Sequence, residues 1–335
     1  MMKSNHKDVK KLNKNKVRTV LRNRKSTTKA IIAQETGLTV VTIQSLLKEL
    51  MVEKEVIKGT LTPSTGGRPA SSFVYNQNFK LGLVVLLREY EGEDYLFLDV
   101  IDLFGDSIFN EVIKSPNYYY VDILYAIESV LNQFRAIVTI GIGIPGQSDH
   151  GIITVSSHEL LKNVNLITKV EDACKLPTFL INDINAAIYG FSYLKPTYRK
   201  SSLIGIYFPK KSPPGMGIMH KGLIVEGKNG MAGEIKYLPI QVDWDKLSEA
   251  KEADFIKVFC QVMHIINVVL APEVSVIYQD LISSETLSKE WADYCQRNEM
   301  PSTPFLTFSN EFHTDFYEGV KLNTLKRIIY QIEKV

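Results

Sequence analysis

The chain has 335 residues, 45% of them hydrophobic and 23% charged, with a formal net charge of +2. That is ordinary globular material, long enough for about two to three domains. The longest apolar runs, at 83–87 and 265–271, fall short of the ~20 residues a membrane span needs, so no membrane partner is expected. Residues 1–16 are polar and Lys-rich, without the apolar centre of a secretory leader. Cys174, Cys260 and Cys295 form no CxxC pair, which argues against a disulfide framework or zinc site and suits a reducing cytoplasm.

The near-neutral total hides an asymmetry. Residues 1–75 hold 15 Lys/Arg against 5 Asp/Glu, and the remaining 260 hold 24 against 32. A basic head on an acidic body is what a protein needs if only its first domain faces phosphate, although a solvated basic tail has the same charge.

In chain order, residues 13–24 place Val17, Val20 and Leu21 on one helical face. Ser26, Thr27 and Thr28 offer N-caps for a second helix carrying Ala30, Ile31 and Ala33. It stops before Gly37, which tolerates the left-handed backbone of a tight turn. Thr39 then caps a third helix, from Val40 to about Glu53, whose buried face is Ile43, Leu46, Leu47 and Leu50. A short helix, a glycine turn and a longer helix form the helix-turn-helix pattern, whose second helix enters the major groove. An ordinary three-helix bundle has the same periodicity. On the groove reading, Thr39, Val40, Thr42, Gln44, Ser45 and Lys48 take the leading and outward positions. Gln44 suits adenine, and the Val40 and Thr42 methyls suit thymine. Short β-type runs at 55–58 and 72–75 flank a Gly/Pro/Ser/Thr segment containing Arg68. That segment is either a wing laying Arg68 on DNA or an interdomain linker.

From residue 80 apolar strands alternate with helices: strands at 81–87, 95–103, 137–144, 179–181 and 202–207, helices at 121–134, 184–194 and 252–270. The class is α/β. Three glycines in Gly141-Ile142-Gly143-Ile144-Pro145-Gly146 permit close backbone approach or simply a tight turn. Asp183, just after a strand, either accepts from ligand hydroxyls or caps a helix.

A helix-turn-helix ending in Gly66-Gly67-Arg68-Pro69-Ala70, followed by this body, resembles the repressor branch of the ROK family (repressors, open reading frames and sugar kinases). The resemblance covers nearly the whole chain. It implies a winged helix-turn-helix over 1–76 and a two-lobed, actin-like (sugar kinase/ribonuclease H-like) body. The first lobe is expected at 77–194, completed by a C-terminal helix at 315–335, and the second at 195–314. Gly141–Gly146 matches the family's sugar-side turn, and Asn182-Asp183-Ile184-Asn185-Ala186-Ala187 resembles N-D-x-N-A-A, where Asn and Asp bind sugar hydroxyls. Gly230-Met231-Ala232-Gly233-Glu234-Ile235-Lys236-Tyr237 resembles G-x-A-G-E-I-G-H, so Glu234 inherits a sugar contact. Tyr237 replaces a zinc-binding histidine, and either stacks on a sugar ring or fills the core. His158 or Ser157 aligns with a sugar-contacting asparagine.

The departures bear on catalysis. Val84 and Leu86 stand where family kinases have the Asp and Gly of D-x-G-x-T. Lys211-Ser212-Pro213-Pro214-Gly215-Met216-Gly217 replaces a second phosphate loop, and Val276-Ile277-Tyr278-Gln279-Asp280 replaces glycines beside adenine. Without those glycines a chain lacks amide donors for a triphosphate. The zinc cysteines are missing as well. The expectation is a cytoplasmic, non-catalytic regulator, without metal or cofactor, that binds a pseudo-palindromic duplex as a homodimer and senses a carbohydrate effector. The alternatives are a sugar kinase with a regulatory head, and a DNA-binding protein with a dead cleft.

Overall fold

The computed structural model describes residues 2–62, 70–90, 92–156, 158–209 and 213–334; Arg68 and Ser157 lie outside them. Near the N-terminus α1 (Met2–Arg24), β1 (Ser26–Thr28), α2 (Lys29–Thr36), α3 (Val40–Val52), β2 (Val56–Thr62) and β3 (Ala70–Tyr75) form three helices on an antiparallel sheet, order β1-β3-β2. α1 begins well before residue 13, where Lys10 pairs with Glu49 of α3 at 2.7 Å and Lys14 with Glu53, just past the end of α3, at 2.6 Å. Of the three predicted caps only Thr28 caps α2; Ser26–Thr28 as a whole pairs with β3, a strand too short to leave a period. Gly37 takes φ 68°, and α3 leaves α2 at 113°. Ile43, Leu46, Leu47 and Leu50 are buried against Val17, Leu21 and Ile32.

Under that core lies a charged pair that periodicity does not reveal. The Arg18 Nε donates to Glu55 Oε1 at 2.8 Å, its Nη2 to Oε2 at 2.9 Å, and the Tyr75 hydroxyl donates to Oε1 at 2.9 Å. Arg18 is 2% and Glu55 0% exposed, so the charges are tolerable only because each is saturated. Burial, then the Glu55 carboxylate, pushes the Tyr75 phenol well above its ordinary range.

The body is α/β. Its first sheet comprises β4 (Leu81–Tyr90), β5 (Glu93–Ile101), β6 (Ser107–Lys114), β7 (Ile137–Ile144) and, after the small hairpin β8 (Gln147–Asp149) and β9 (Ile152–Val155), β10 (Thr178–Asn182). α4 (Tyr120–Gln133) and α5 (Leu166–Cys174) share its outer core. α6 (Asp183–Leu194) leads to the second sheet, β11 (Ser202–Tyr207), β12 (Gly215–His220), β13 (Leu223–Ile224), β14 (Val274–Tyr278) and β15 (Phe305–Phe308), with α7 (Glu252–Leu270) and α8 (Ser284–Arg297) on its outside. The chain ends in α9 (Phe312–Lys334).

The two sheets run β10-β7-β4-β5-β6 and β13-β12-β11-β14-β15. In each, the first strand is central, with an antiparallel meander on one side and parallel strands on the other. Between them lie α9, against β7 and β4, and α6, against β11 and β12. Gly141 and Gly143 admit Thr324, Phe316 and Val320 of α9, while Gly205 admits Ile188 of α6.

α7 amends one expectation. Although no single apolar run approaches span length, this helix as a whole is long and apolar enough to cross a bilayer. Phe255, Phe259, Val262 and Met263 are buried in the second core, which accounts for its apolar face.

Candidate nucleic-acid face and effector cleft

On α3 the fold separates packing from presentation. The Thr39 hydroxyl accepts from the Thr42 amide at 3.2 Å and lies 2.9 Å from the Thr42 hydroxyl, fixing the start of the helix. Thr39, Val40, Gln44, Ser45 and Lys48 are exposed and Thr42 half-buried. The Gln44 Oε1 accepts from Lys29 Nζ at 3.3 Å. β2 and β3 form the stem of a hairpin whose tip, with Arg68, is outside the described residues.

In the body, the carboxyl ends of β4, β10, β11 and β14 converge. Asn182 caps α6, its Oδ1 accepting from the Asn185 amide at 3.0 Å. Its Nδ2 donates to the Gly146 carbonyl at 2.8 Å and to Asp183 Oδ1 at 3.0 Å. Gly146 has φ 124°, and a Cβ there would strike the Val155 carbonyl oxygen, so the turn requires glycine. Asp183 Oδ1 also accepts from the Ile184 amide at 2.7 Å. Burial nonetheless raises its carboxyl to about 7, and the nearby Glu234 carboxylate adds to the rise.

Glu234 is placed by Gly233, whose φ of 91° lets its carbonyl accept from Met216 of β12 at 3.2 Å. Lys236 Nζ lies 3.7 Å from Glu234 Oε2. Tyr237 does not fill the core: it is 66% exposed, with Lys236 Nζ 5.1 Å from the centre of its ring. His158 is tethered in the first half, its Nε2 3.1 Å from Asp94 Oδ1 and its ring 4.6 Å from that of Tyr118. Gly146, Asn182, Asp183 and Glu234 are thus gathered, while His158 and Tyr237 have neighbours of their own.

Sequence reasoning passes over Tyr207, Arg88 and His313. Tyr207 stacks on Phe312 at 3.8 Å and is pushed up to about 12 by burial and by the carboxylates of Asp183, Asp280 and Glu89. It also senses Arg88, near the end of β4, which in turn bears on His313 at the start of α9. The available signal was an arginine closing an apolar strand. A hollow of about 470 Å³ opens beyond β14, lined among others by Asp280, Ser283, Glu285 and Asn310.

Residues 92–253 match the ROK family. The chain carries a ROK-family domain. It is 22% identical over 266 residues to the xylose repressor of Bacillus subtilis (strain 168), covering 76% of this chain and 67% of that protein. It is 24% identical over 221 residues to the DNA-binding transcriptional dual regulator NagC of Escherichia coli (strain K12), covering 63% and 53%. Among solved structures, a ROK family transcriptional regulator described as a homolog of the E. coli MLC protein aligns with TM-score 0.57 and 17% identity over 95% of this chain and 99% of its own. A putative N-acetylmannosamine kinase from Listeria monocytogenes aligns with TM-score 0.58 and 17% identity over 74% and 99%. At such identities these structures speak for the fold alone: an α/β body with mixed sheets that resembles theirs.

Proposed function

We propose that this ROK protein is a sugar-responsive transcriptional repressor, whose N-terminal winged helix-turn-helix (1–76) binds duplex DNA. Its two-lobed, actin-like body would bind a carbohydrate effector without phosphorylating it. The observation that carries the reading is the N-capped α3, with one face buried and Thr39, Val40, Gln44, Ser45 and Lys48 presented outward, set on a ROK body. The kinase neighbour aligns with 74% of the chain and the regulator with 95%. Relatives named as repressors support the same assignment.

Arg68 belongs on the wing, against phosphate or in the minor groove. Asn182, Asp183 and Glu234 receive sugar hydroxyls, with Gly146 shaping the turn and His158 and Tyr237 at the rim. The lobes are 77–194 with the C-terminal helix, and 195–314. A cytoplasmic homodimer reading two half-sites about one or two turns apart completes the picture.

Buried side chains support the absence of catalysis. Val84 and Leu86 are 0% and 3% exposed and packed in the central core, and Gly217 faces Ile188 and Asn185 of α6. These positions are committed to packing and not to a phosphate cradle. Turnover of ATP with any hexose, abolished in Asp183→Asn, would restore the kinase reading. For DNA binding, a duplex selected from random sequence is titrated by fluorescence anisotropy. Lys48→Ala and Arg68→Ala should each weaken binding by at least about threefold at fixed salt. Affinity should fall steeply between roughly 50 and 200 mM salt. Salt-independent binding, unchanged in both variants, would remove the head from DNA.

A further inference from the structure

β4 runs buried from Leu81 to Leu87 and then carries a half-buried cation, Arg88, two residues before its end. The Arg88 guanidinium carbon lies 4.7 Å from the ring centre of Phe97 and 5.9 Å from that of Tyr90. Stacking of this kind occupies the faces of the plane and leaves the N–H donors at its edge. Arg88 has no ion pair and no hydrogen bond among the described residues, and its Nε is buried without a partner. The phenols of Tyr207, Tyr90 and Tyr118 and the imidazole of His313 are the titratable groups near it. The Nδ1 of His313 is likewise buried and unpartnered. Of the carboxylates around Tyr207, Asp183 is engaged by Ile184 and Asn182, and Asp280 and Glu89 have interactions of their own.

Arg88 as a whole is half-buried, and a guanidinium keeps its charge there, so its partial desolvation without a counter-charge is a cost. A fold retains such a group where an anion arrives to meet it. Tyr207 stacks on Phe312 at 3.8 Å, and Phe312 lies 5.4 Å from the ring of His313, so this aromatic cluster stands between Arg88 on one side and Asp183 on the other, both of which act on Tyr207.

We propose that Arg88 is an anion subsite of the effector cleft, so that the effector is an acidic carbohydrate, a phosphate ester or a uronate. The inference rests on the reading of the cleft as a carbohydrate site. The guanidinium edge suits two parallel N–H···O bonds to either anion. Val84 and Leu86 leave no turn of backbone amides at the end of β4, and the side chain of Arg88 supplies the positive charge instead.

Thermal unfolding and calorimetric titration of the full chain test this with common hexoses, N-acetylhexosamines and pentoses, each beside its terminal phosphate ester and its uronate. At least one acidic sugar should bind about tenfold or more tightly than its neutral parent, and the two acidic arms decide which anion is used. Arg88→Gln should cut that preference to below about threefold and leave the neutral parent unchanged. Should Arg88→Gln fail to fold, Arg88→Lys, which keeps charge but loses the fork, should weaken the acidic sugar alone. A neutral sugar binding as tightly as its acidic forms, or a preference intact in both variants, overturns the anion subsite and leaves the carbohydrate cleft standing. Failure of every sugar to bind overturns both.

Discussion

At Asp183 two opposing influences meet on one carboxyl. The Ile184 amide and the Asn182 side chain favour its charge, but burial outweighs them and holds it near 7, against an ordinary 3.8. The folded chain therefore keeps a proton that the unfolded chain gives up between about pH 4 and pH 7. Stability from this group is full below that window and is lost as pH rises through it. Asp315, raised to about 6 by burial, acts in the same direction and remains in any Asp183 variant. Asp183→Asn should thus gain on the native chain by on the order of 4 kcal/mol in urea unfolding between pH 4 and pH 8. Parallel stability curves for the two proteins would refute the buried carboxyl. Asn182 and Asp183 were legible in the sequence because they sit side by side in one strand-to-helix turn, and Gly146 because its motif demands a special backbone. Arg88, Tyr207 and His313 were not, since they lie near the end of β4, at the end of β11 and in the first turn of α9, and only the folded arrangement of two sheets brings those termini together.

Elements with a strong period of their own could be read directly. β7, β11 and α7 match their expected bounds because each is nearly uniformly buried or carries one apolar stripe. β6 was missed because most of it is exposed, so alternation is weak, and β1 is too short to show any. The closest helix contact was equally hidden. Gly190 of α6 meets the Asp315 carbonyl and the Gly319 amide, while Gly319 of α9 meets the Ala186 carbonyl. A Cβ at either position would strike backbone, which cannot rotate away. Gly190→Ala and Gly319→Ala should each cost about 2–3 kcal/mol in urea unfolding, by forcing the two helices apart. Gly215→Ala is the control, because its nearest neighbour, Ile184 Cγ2, would lie at an ordinary 3.7 Å. Equal stabilities for the three variants would show that α6 and α9 spread freely.

Across the whole molecule α9 is the element that touches both ends. Phe312 stacks on Tyr207 at the cleft and meets Tyr278 edge-on at 5.3 Å. Over its 23 residues, about 35 Å at 1.5 Å per residue, the helix reaches the head. There Ile328 and Ile332 join the core of Val17 and Leu21, Arg22 Nη2 lies 2.7 Å from Glu333 Oε1, and Asn15 Nδ2 donates to the Glu333 carbonyl at 3.1 Å. A helix held by apolar packing along its length moves as a rod, so a shift of Phe312 on ligand binding arrives at α1. Coupling between effector and DNA of the usual 1–3 kcal/mol would then run through the Glu333 contacts. Glu333→Ala with Asn15→Ala leaves the buried Ile328 and Ile332 in place. The double variant should bind the effector, and the DNA without effector, within about twofold of the native chain. The effector-induced change in DNA affinity should shrink at least about threefold. A native-sized response in that variant would place the coupling in some element other than α9.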